Sequence, residues 1–151
     1  LRPKPQLIVF LSLEPIEKAA PDKASANTFD GLLNQNGSVI LSDLVFKSGS
    51  SSLTESTFVS LENLATYMNK HPERKIVLVG HTDNIGELDR NMALSKQRAQ
   101  AVAKHLVKYY KISAKQISAE GTGFLSPISS NLTAEGRKTN RRVEAVLLSY
   151  Q

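Results

Sequence analysis

The feature that most constrains the fold is a stretch of helical periodicity from Asp89 to Tyr110. Successive side chains of a helix advance by about 100° around its axis, so Leu94, Val102 and Leu106 fall on one side. A helix with such an apolar face is stable mainly because that face packs against other elements of a core. The stretch therefore predicts one long helix of a layered domain.

The rest of the chain alternates between strand and helix patterns. Four short apolar or alternating segments predict strands, namely Val39–Phe46, Ile76–Val79, Ile117–Glu120 and Val143–Leu147. A capping box at residues 52–55 predicts a second main helix, which ends at Pro72, and a short helix is predicted after Thr133. Ile76–Val79 is apolar throughout, which indicates a central strand covered on both faces. The order predicts an α/β fold: a two-layer β-α-β-α-β-β sandwich with two main helices on one face of a mixed sheet.

Two polar residues, Asn91 and Arg98, fall on the apolar side of the long helix. A guanidinium cannot be neutralised, so burying it unpaired costs on the order of several kcal/mol. Arg98 therefore needs a carboxylate from the protein or from a ligand, and Asp83 is the nearest candidate in sequence. The two side chains are predicted either to form a ligand site or to form an internal salt bridge that only fixes a loop.

A set of motifs between Ser38 and Ser149 resembles the OmpA-like peptidoglycan-binding domain, the OmpA C-terminal type also found in Pal and MotB proteins. The motifs, in chain order, are Gly80-His81-Thr82-Asp83, Asn91-x-x-Leu94-Ser95-x-x-Arg98-Ala99, Gly121-x-Gly123 and Asn140-Arg141-Arg142-Val143-Glu144. The resemblance implies non-catalytic binding of peptidoglycan, without a cofactor or metal.

The resemblance also implies which residues bind the ligand. In relatives, residues at the positions of Asp83 and Arg98 grip the free end of meso-diaminopimelate in the peptidoglycan stem peptide. That end is zwitterionic, so a carboxylate suits its ammonium group and a forked guanidinium suits its carboxylate. Further candidates near the same pocket are Asn91 and Arg141, and the loop residues Asn84, Ile85 and Gly86, whose backbone N–H groups lie close to a helix N-terminus.

Alternatives stay open for several of these positions. Asn91 is equally well explained as a satisfied polar residue at the helix start, and Arg141 as a surface charge. Arg142 and Glu144 are predicted to be structural, outward-facing residues of the last strand. Relatives commonly carry Phe-Asp after the first strand, whereas this chain has Phe46-Lys47 followed by a Ser/Gly-rich loop. The resemblance therefore does not extend to this loop's contribution to the ligand.

Two regions are predicted along the chain. Residues 1–37 are rich in Pro and predict an extension or linker with one short strand, Leu7–Leu13, while residues 38–151 form the domain. The resemblance implies that the domain anchors an envelope protein to the wall in the periplasm of a Gram-negative bacterium. The anchor is expected in the outer, alternatively the inner, membrane, through a segment missing from this chain. The alternative is the wall-binding domain of a motor stator or regulatory protein gated by its N-terminal segment, and a homodimer stays open.

Composition argues against other classes of function. A net charge of +5 fits an acidic partner, yet the cations scatter and there is no Trp, which argues against nucleic acid. The longest apolar run near the start has seven residues, whereas about 20 are needed to span a bilayer. Enzymatic sets such as His81, Asp83 and Ser95, or Asp83 with Glu87 and Asp89, lack the context of a nucleophile or an acid–base pair. The three His residues lack metal-ligand spacing.

Overall fold

The computed structural model describes residues 27–148 except Ser56. The helices are α1 (Phe29–Asn36), α2 (Val59–Lys70), α3 (Leu88–Tyr110) and α4 (Ala134–Asn140). The strands are β1 (Ser38–Ile40), β2 (Lys75–Gly80), β3 (Ile117–Gly121) and β4 (Val143–Leu148), with a 3₁₀ turn at Ala114–Gln116 before β3.

The four described strands form one mixed sheet in the order β1-β4-β2-β3. β4 is antiparallel to both β1 and β2, whereas β2 and β3 are parallel. Gly80 at the end of β2 lies opposite Gly121 on one side and Val143 on the other. The loops that follow β2 and β3 therefore meet the start of β4 at one end of the strands. The predicted mixed α/β fold is confirmed.

In the described part of the chain, the hydrophobic core lies between the helices and one face of the sheet. Leu61 and Leu64 of α2, and Val102 and Leu106 of α3, are 0% exposed and belong to the same cluster as Leu78 of β2. The long helix begins at Leu88, one residue before the predicted start, and ends at Tyr110 as predicted. The bounds of this helix were predictable from its period, because each inward position carries an apolar or specifically bonded side chain.

Two glycines let α3 approach the sheet more closely than any other residue type would allow. A Cβ atom on Gly80 would lie 1.8 Å from the backbone oxygen of Ser95, and one on Gly121 would lie 2.2 Å from the Ser95 hydroxyl. That hydroxyl donates to Met92 O at 2.8 Å and accepts from Gly123 N–H at 2.9 Å. Ser95 is thus hydrogen-bonded to the loop after β3 and holds the helix against the end of the strands.

The start of α2 differs from the prediction. The helix begins at Val59, and its N-cap residue Phe58 makes no side-chain cap hydrogen bond, so the predicted capping box at residues 52–55 is wrong. Asp43 acts instead: its carboxylate accepts from the backbone N–H of Ser60 at 3.1 Å and also from the Ser60 hydroxyl. A carboxylate at the N-terminus of a helix also interacts favourably with the positive end of the helix dipole. A residue distant in sequence has replaced the local cap.

Two strand predictions also need correction. β1 ends at Ile40 rather than Phe46, because the chain turns where Leu44 N–H donates to Leu41 O at 3.1 Å. The apolar residues of that turn are still buried in the core. β2 is an internal strand, but Val77 and Val79 are only half-buried, so its second face is less covered than predicted.

Helix α1 lies within the region predicted to be an extension, and its Leu33 side chain is completely buried in the core. Its N-cap Thr28 accepts from Gly31 N–H at 3.1 Å. The predicted strand Leu7–Leu13 lies outside the described residues. Among residues 27–148 no helix is both long and apolar enough to cross a membrane, since the 23-residue α3 is amphipathic.

Candidate functional site

Asp83 lies in the loop that joins β2 to α3 and is 4% exposed. One carboxylate oxygen accepts from Ile85 N–H at 3.0 Å, and the other accepts from the Arg141 guanidinium at 2.9 Å. A carboxylate offers about four acceptor positions, so two remain for another partner. The loop and Arg141, which lies between α4 and β4, therefore hold a nearly buried carboxylate in a fixed orientation.

Arg98 is completely buried, but its partners differ from the prediction. Its Nε, Nη1 and Nη2 atoms donate to the carbonyl oxygens of Ser50, His81 and Lys47 at 2.8, 3.0 and 3.0 Å. The expectation that Arg98 needs a carboxylate is wrong, because three backbone carbonyls satisfy the guanidinium and Asp83 is not bonded to it. A guanidinium has five N–H donors, so two remain.

Arg98 is charged at neutral pH although its buried surroundings disfavour the charged form. Burial lowers the pKa of Arg98 to about 10, an effect that nearby Asp83 opposes and Arg141 increases. The guanidinium also lies 5.1 Å from the centre of the Phe46 ring. The site thus contains a permanent buried cation whose charge is not cancelled by a direct ion pair.

Asn91, in the first turn of α3, fixes the shape of the loop. Its amide group donates to the carbonyl oxygens of Ile85 and Glu87, both at 3.0 Å. These bonds give Asn91 a structural role, which was one of the two alternatives. Gly86 has a φ of 93°, a backbone conformation that favours glycine. The backbone N–H groups of Asn84 and Gly86 have no acceptor within residues 27–148.

A cavity of about 200 Å³ opens between this loop, the start of α3 and the Ser/Gly-rich loop. Its walls contain five of the predicted site residues together with Arg90 and Leu94 of α3 and parts of both loops. The lining residues are Ser48, Gly49, Thr82, Asp83, Ile85, Gly86, Arg90, Asn91, Leu94 and Arg98. Of the remaining predicted residues, Arg141 is joined to the cavity through Asp83, and Asn84 is exposed beside it.

Two larger grooves lie elsewhere on the described surface. A groove of about 430 Å³ is lined by small or apolar residues and the stems of two lysines, and no polar groups converge in it. A second groove, of about 390 Å³, lies on the other side of Arg141 beside α4. The smallest of the three cavities is the one that combines a held carboxylate with a buried cation, so chemistry rather than volume selects it.

Arg141 and Arg142 are adjacent but serve different clusters. Arg141 donates to Asp83 and, through Nε, to the carbonyl oxygen of Phe46 at 3.0 Å. It therefore joins the Asp83 loop to the loop after β1. Arg141, which follows α4 directly, is therefore not a free surface charge.

Arg142 belongs to a second group, with the buried His81 and the half-buried Glu144. Its Nη2 atom donates to Glu144 at 3.0 Å and to Ser126 O at 3.1 Å. His81 Nε2 lies 2.6 Å from the same Glu144 oxygen, and its Nδ1 lies 3.0 Å from the Thr122 hydroxyl. Arg142 and Glu144 are structural as predicted, but Arg142 is 4% exposed and does not face outward.

The pKa values of this second group shift for identifiable reasons. The hydrogen-bonding contact with His81 lowers the pKa of Glu144 most; partial burial opposes the shift and Arg142 adds to it. Burial lowers the pKa of Arg142, while Glu144 acts in the opposite direction. The group is internally compensated, since each charge has a partner of opposite sign.

The sequence model of the OmpA family matches residues 45–141, which include every part of the site. This chain belongs to the OmpA family. Outer membrane porin F of Pseudomonas aeruginosa is 39% identical over 103 residues, which are 68% of this chain and 29% of the porin. The peptidoglycan-binding protein ArfA of Mycobacterium tuberculosis is 31% identical over 143 residues, which are 95% of this chain and 44% of ArfA. The chain thus spans less than half the length of either relative.

The fold of this OmpA-family chain is also that of solved relatives. The crystal structure of the peptidoglycan-associated lipoprotein from Burkholderia pseudomallei superposes with a TM-score of 0.66 at 26% identity. It covers 82% of this chain and 99% of that protein. The resemblance noted from the motifs is therefore confirmed at the level of family and fold.

Sequence reasoning missed one cavity residue of this OmpA-family domain with a clear chemical character, Arg90. Its side chain is exposed on α3, but it also lines the cavity. The loop residues Ser48 and Gly49 were also missed as lining residues. Their signal was hidden because Arg98 holds this loop by backbone carbonyls, which no side-chain pattern reveals.

Proposed function

We propose that this domain binds peptidoglycan without catalysis, through the free end of meso-diaminopimelate in the stem peptide. The observation that carries the proposal is the pairing of Asp83 and Arg98 in the wall of one small cavity without a bond between them. An internal salt bridge would have used up both charges. Here the carboxylate keeps acceptor positions, and the guanidinium keeps donors and its charge.

The ligand tip matches these groups in sign and order. Its ammonium group is bound by Asp83, which Arg141 and Ile85 N–H hold in place. Its carboxylate is drawn to the Arg98 side of the cavity, and the unpaired N–H of Gly86 in the same wall is available to it. Because Arg98 has no exposed surface, it acts through its charge and through the loop that it holds, rather than by direct hydrogen bonds to the ligand.

The family supports a role in wall attachment. The relatives include a protein named for peptidoglycan binding and a peptidoglycan-associated lipoprotein. We infer that the domain works in the cell envelope, in the periplasm, and tethers a longer protein to the wall. In this proposal the part of the chain that precedes α1 leads to the membrane-attached part.

Retention on purified wall tests the proposal. We expect the domain to be retained on wall of the meso-diaminopimelate type and much less on wall of the Lys type, because Lys lacks the second carboxylate. Asp83→Asn removes the charge with little change in shape and should weaken binding at least tenfold, about 1.4 kcal/mol. Equal retention on both walls would contradict the proposed ligand.

A matched control separates the site from net charge. Asp89→Asn makes the same charge change at an exposed residue of α3 that does not line the cavity. It should bind as the unmodified chain does. Normal binding by a folded Asp83→Asn variant would show that the site lies elsewhere.

A further inference from the structure

Arg90 has no internal role that the structure reveals. It is the third residue of α3, and its side chain is exposed on the rim of the cavity. No carboxylate lies within ion-pair distance of it in the described part of the chain. A cation in the first turn also opposes the helix dipole, whose positive end lies there. Neither helix stability nor an ion pair explains an arginine at this position.

The charges around the cavity are not balanced by a zwitterionic ligand tip. The wall contains one carboxylate, Asp83, and two guanidiniums, Arg90 and Arg98. Asp83 is also bonded to Arg141, which adds a third positive charge at its back. An amino-acid tip brings one charge of each sign and leaves this excess unchanged. A ligand with another carboxylate next to the tip would offset it.

We propose that Arg90 is a specificity-determining residue that binds a second carboxylate of the stem peptide. The inference rests on the proposed function, because it places the diaminopimelate tip in the cavity beside Arg90. Two carboxylates of the peptide have the required chemistry: the α-carboxylate of the γ-linked Glu that precedes diaminopimelate, and the carboxyl terminus of the Ala that follows it. The domain then prefers stem peptides in which that acid is free over those in which it is amidated.

Four synthetic tetrapeptides distinguish these sources. All contain Ala, γ-linked Glu, meso-diaminopimelate and Ala with the same free tip. They are a peptide with both acids free, one amidated at Glu, one amidated at the carboxyl terminus and one amidated at both. Binding is measured by titration calorimetry with the whole chain at low ionic strength. We expect about threefold weaker binding when the acid that meets Arg90 is amidated, the size typical of an exposed ion pair, and a smaller difference in salt.

Arg90→Gln should make the four peptides bind with equal affinity, because the variant lacks the charge that distinguishes a free acid from an amide. Arg90→Lys should keep part of the preference, because it retains the charge but not the planar fork. Lys104→Gln is the matched control: it removes one positive charge from the same helix about 21 Å away and should leave the preference intact.

The outcomes separate this inference from the proposed function. Equal binding of all four peptides, or a preference that persists in Arg90→Gln, overturns the role of Arg90 while diaminopimelate binding stands. If no peptide binds the unmodified chain while its fold is intact, both the proposed function and this inference fail.

Discussion

Two charged clusters lie at the same end of the strands and differ in whether their charges are paired inside the protein. The Glu144 cluster (His81, Arg142 and Glu144) pairs its acid with two basic side chains inside the protein. In the Asp83 cluster (Asp83, Arg98 and Arg141), one guanidinium binds only backbone carbonyls and the acid lines a cavity. The chain supplies both clusters from neighbouring residues, so proximity in sequence does not tell a structural cluster from a site.

The comparison teaches that a site is marked by charge left over after internal bonding. The Glu144 cluster offers little to a ligand, because its carboxylate lies between two basic side chains of the protein itself. The Asp83 cluster keeps an excess of positive charge and unused hydrogen-bonding positions. Substitutions in the two clusters should therefore separate stability from binding.

The largest effect is expected for Arg98→Ala. It leaves the carbonyl oxygens of Lys47, Ser50 and His81 without their donor and should lower the free energy of unfolding by about 3 kcal/mol. Binding of meso-diaminopimelate-type wall should fall in parallel. Urea unfolding measures the first effect and wall retention the second.

Arg98→Lys tests whether the fork matters or only the charge. One ammonium group cannot reach three carbonyl oxygens in different directions. This variant should therefore also lose most of the free energy of unfolding that Arg98 contributes. If Arg98→Lys were as stable as the unmodified chain, the three-carbonyl account of Arg98 would be wrong.

A smaller loss, about 2 kcal/mol at pH 7, is expected for Glu144→Gln in the other cluster. The pKa of Glu144 is lowered in the folded protein, so its contribution is present above its unfolded pKa of about 4.3 and is lost as pH falls through the folded value. When the pH is lowered from 5, the free energy of unfolding should therefore fall less for the variant than for the unmodified chain. The difference corresponds to the titration of one carboxylate. Unfolding curves at several pH values measure this.

Binding distinguishes the two clusters in the same variant. Glu144→Gln should retain wall binding at a temperature where it is folded, because the Glu144 cluster does not line the cavity. A tenfold loss of binding by a fully folded Glu144→Gln would show that both clusters belong to one site.

How much of this was predictable depends on sequence separation. The burial of Arg98 and Asn91 followed from helical period, which is local. The partners of Arg98 lie 48 and 51 residues away for Ser50 and Lys47, and Asp83 lies 58 residues from Arg141. Such bonds depend on how the sheet brings loops together.

The nature of the partner also limited the prediction. Every residue has a carbonyl group, so a bond to a backbone oxygen leaves no trace in the sequence. The motif match indicated that Asp83 and Arg98 belong to one pocket, and both line the same cavity. The alternative, an internal salt bridge between them, is not formed, because Arg98 donates to backbone carbonyl oxygens instead. The cap of α2 by Asp43 was missed in the same way, since a local capping pattern competed with a distant carboxylate.

The smallest effect is expected at Lys47, where the chain departs from the Phe-Asp pattern of its relatives. Its carbonyl oxygen, rather than its exposed side chain, accepts from Arg98. Lys47→Asp should therefore change the free energy of unfolding by less than about 0.5 kcal/mol. Gly49→Ala in the same loop should cost about 1 kcal/mol, because Gly49 has a φ of 74° that a side chain disfavours. A larger loss for Lys47→Asp than for Gly49→Ala in urea unfolding would show that this loop depends on its side chains, and the departure at Lys47 would then alter the site.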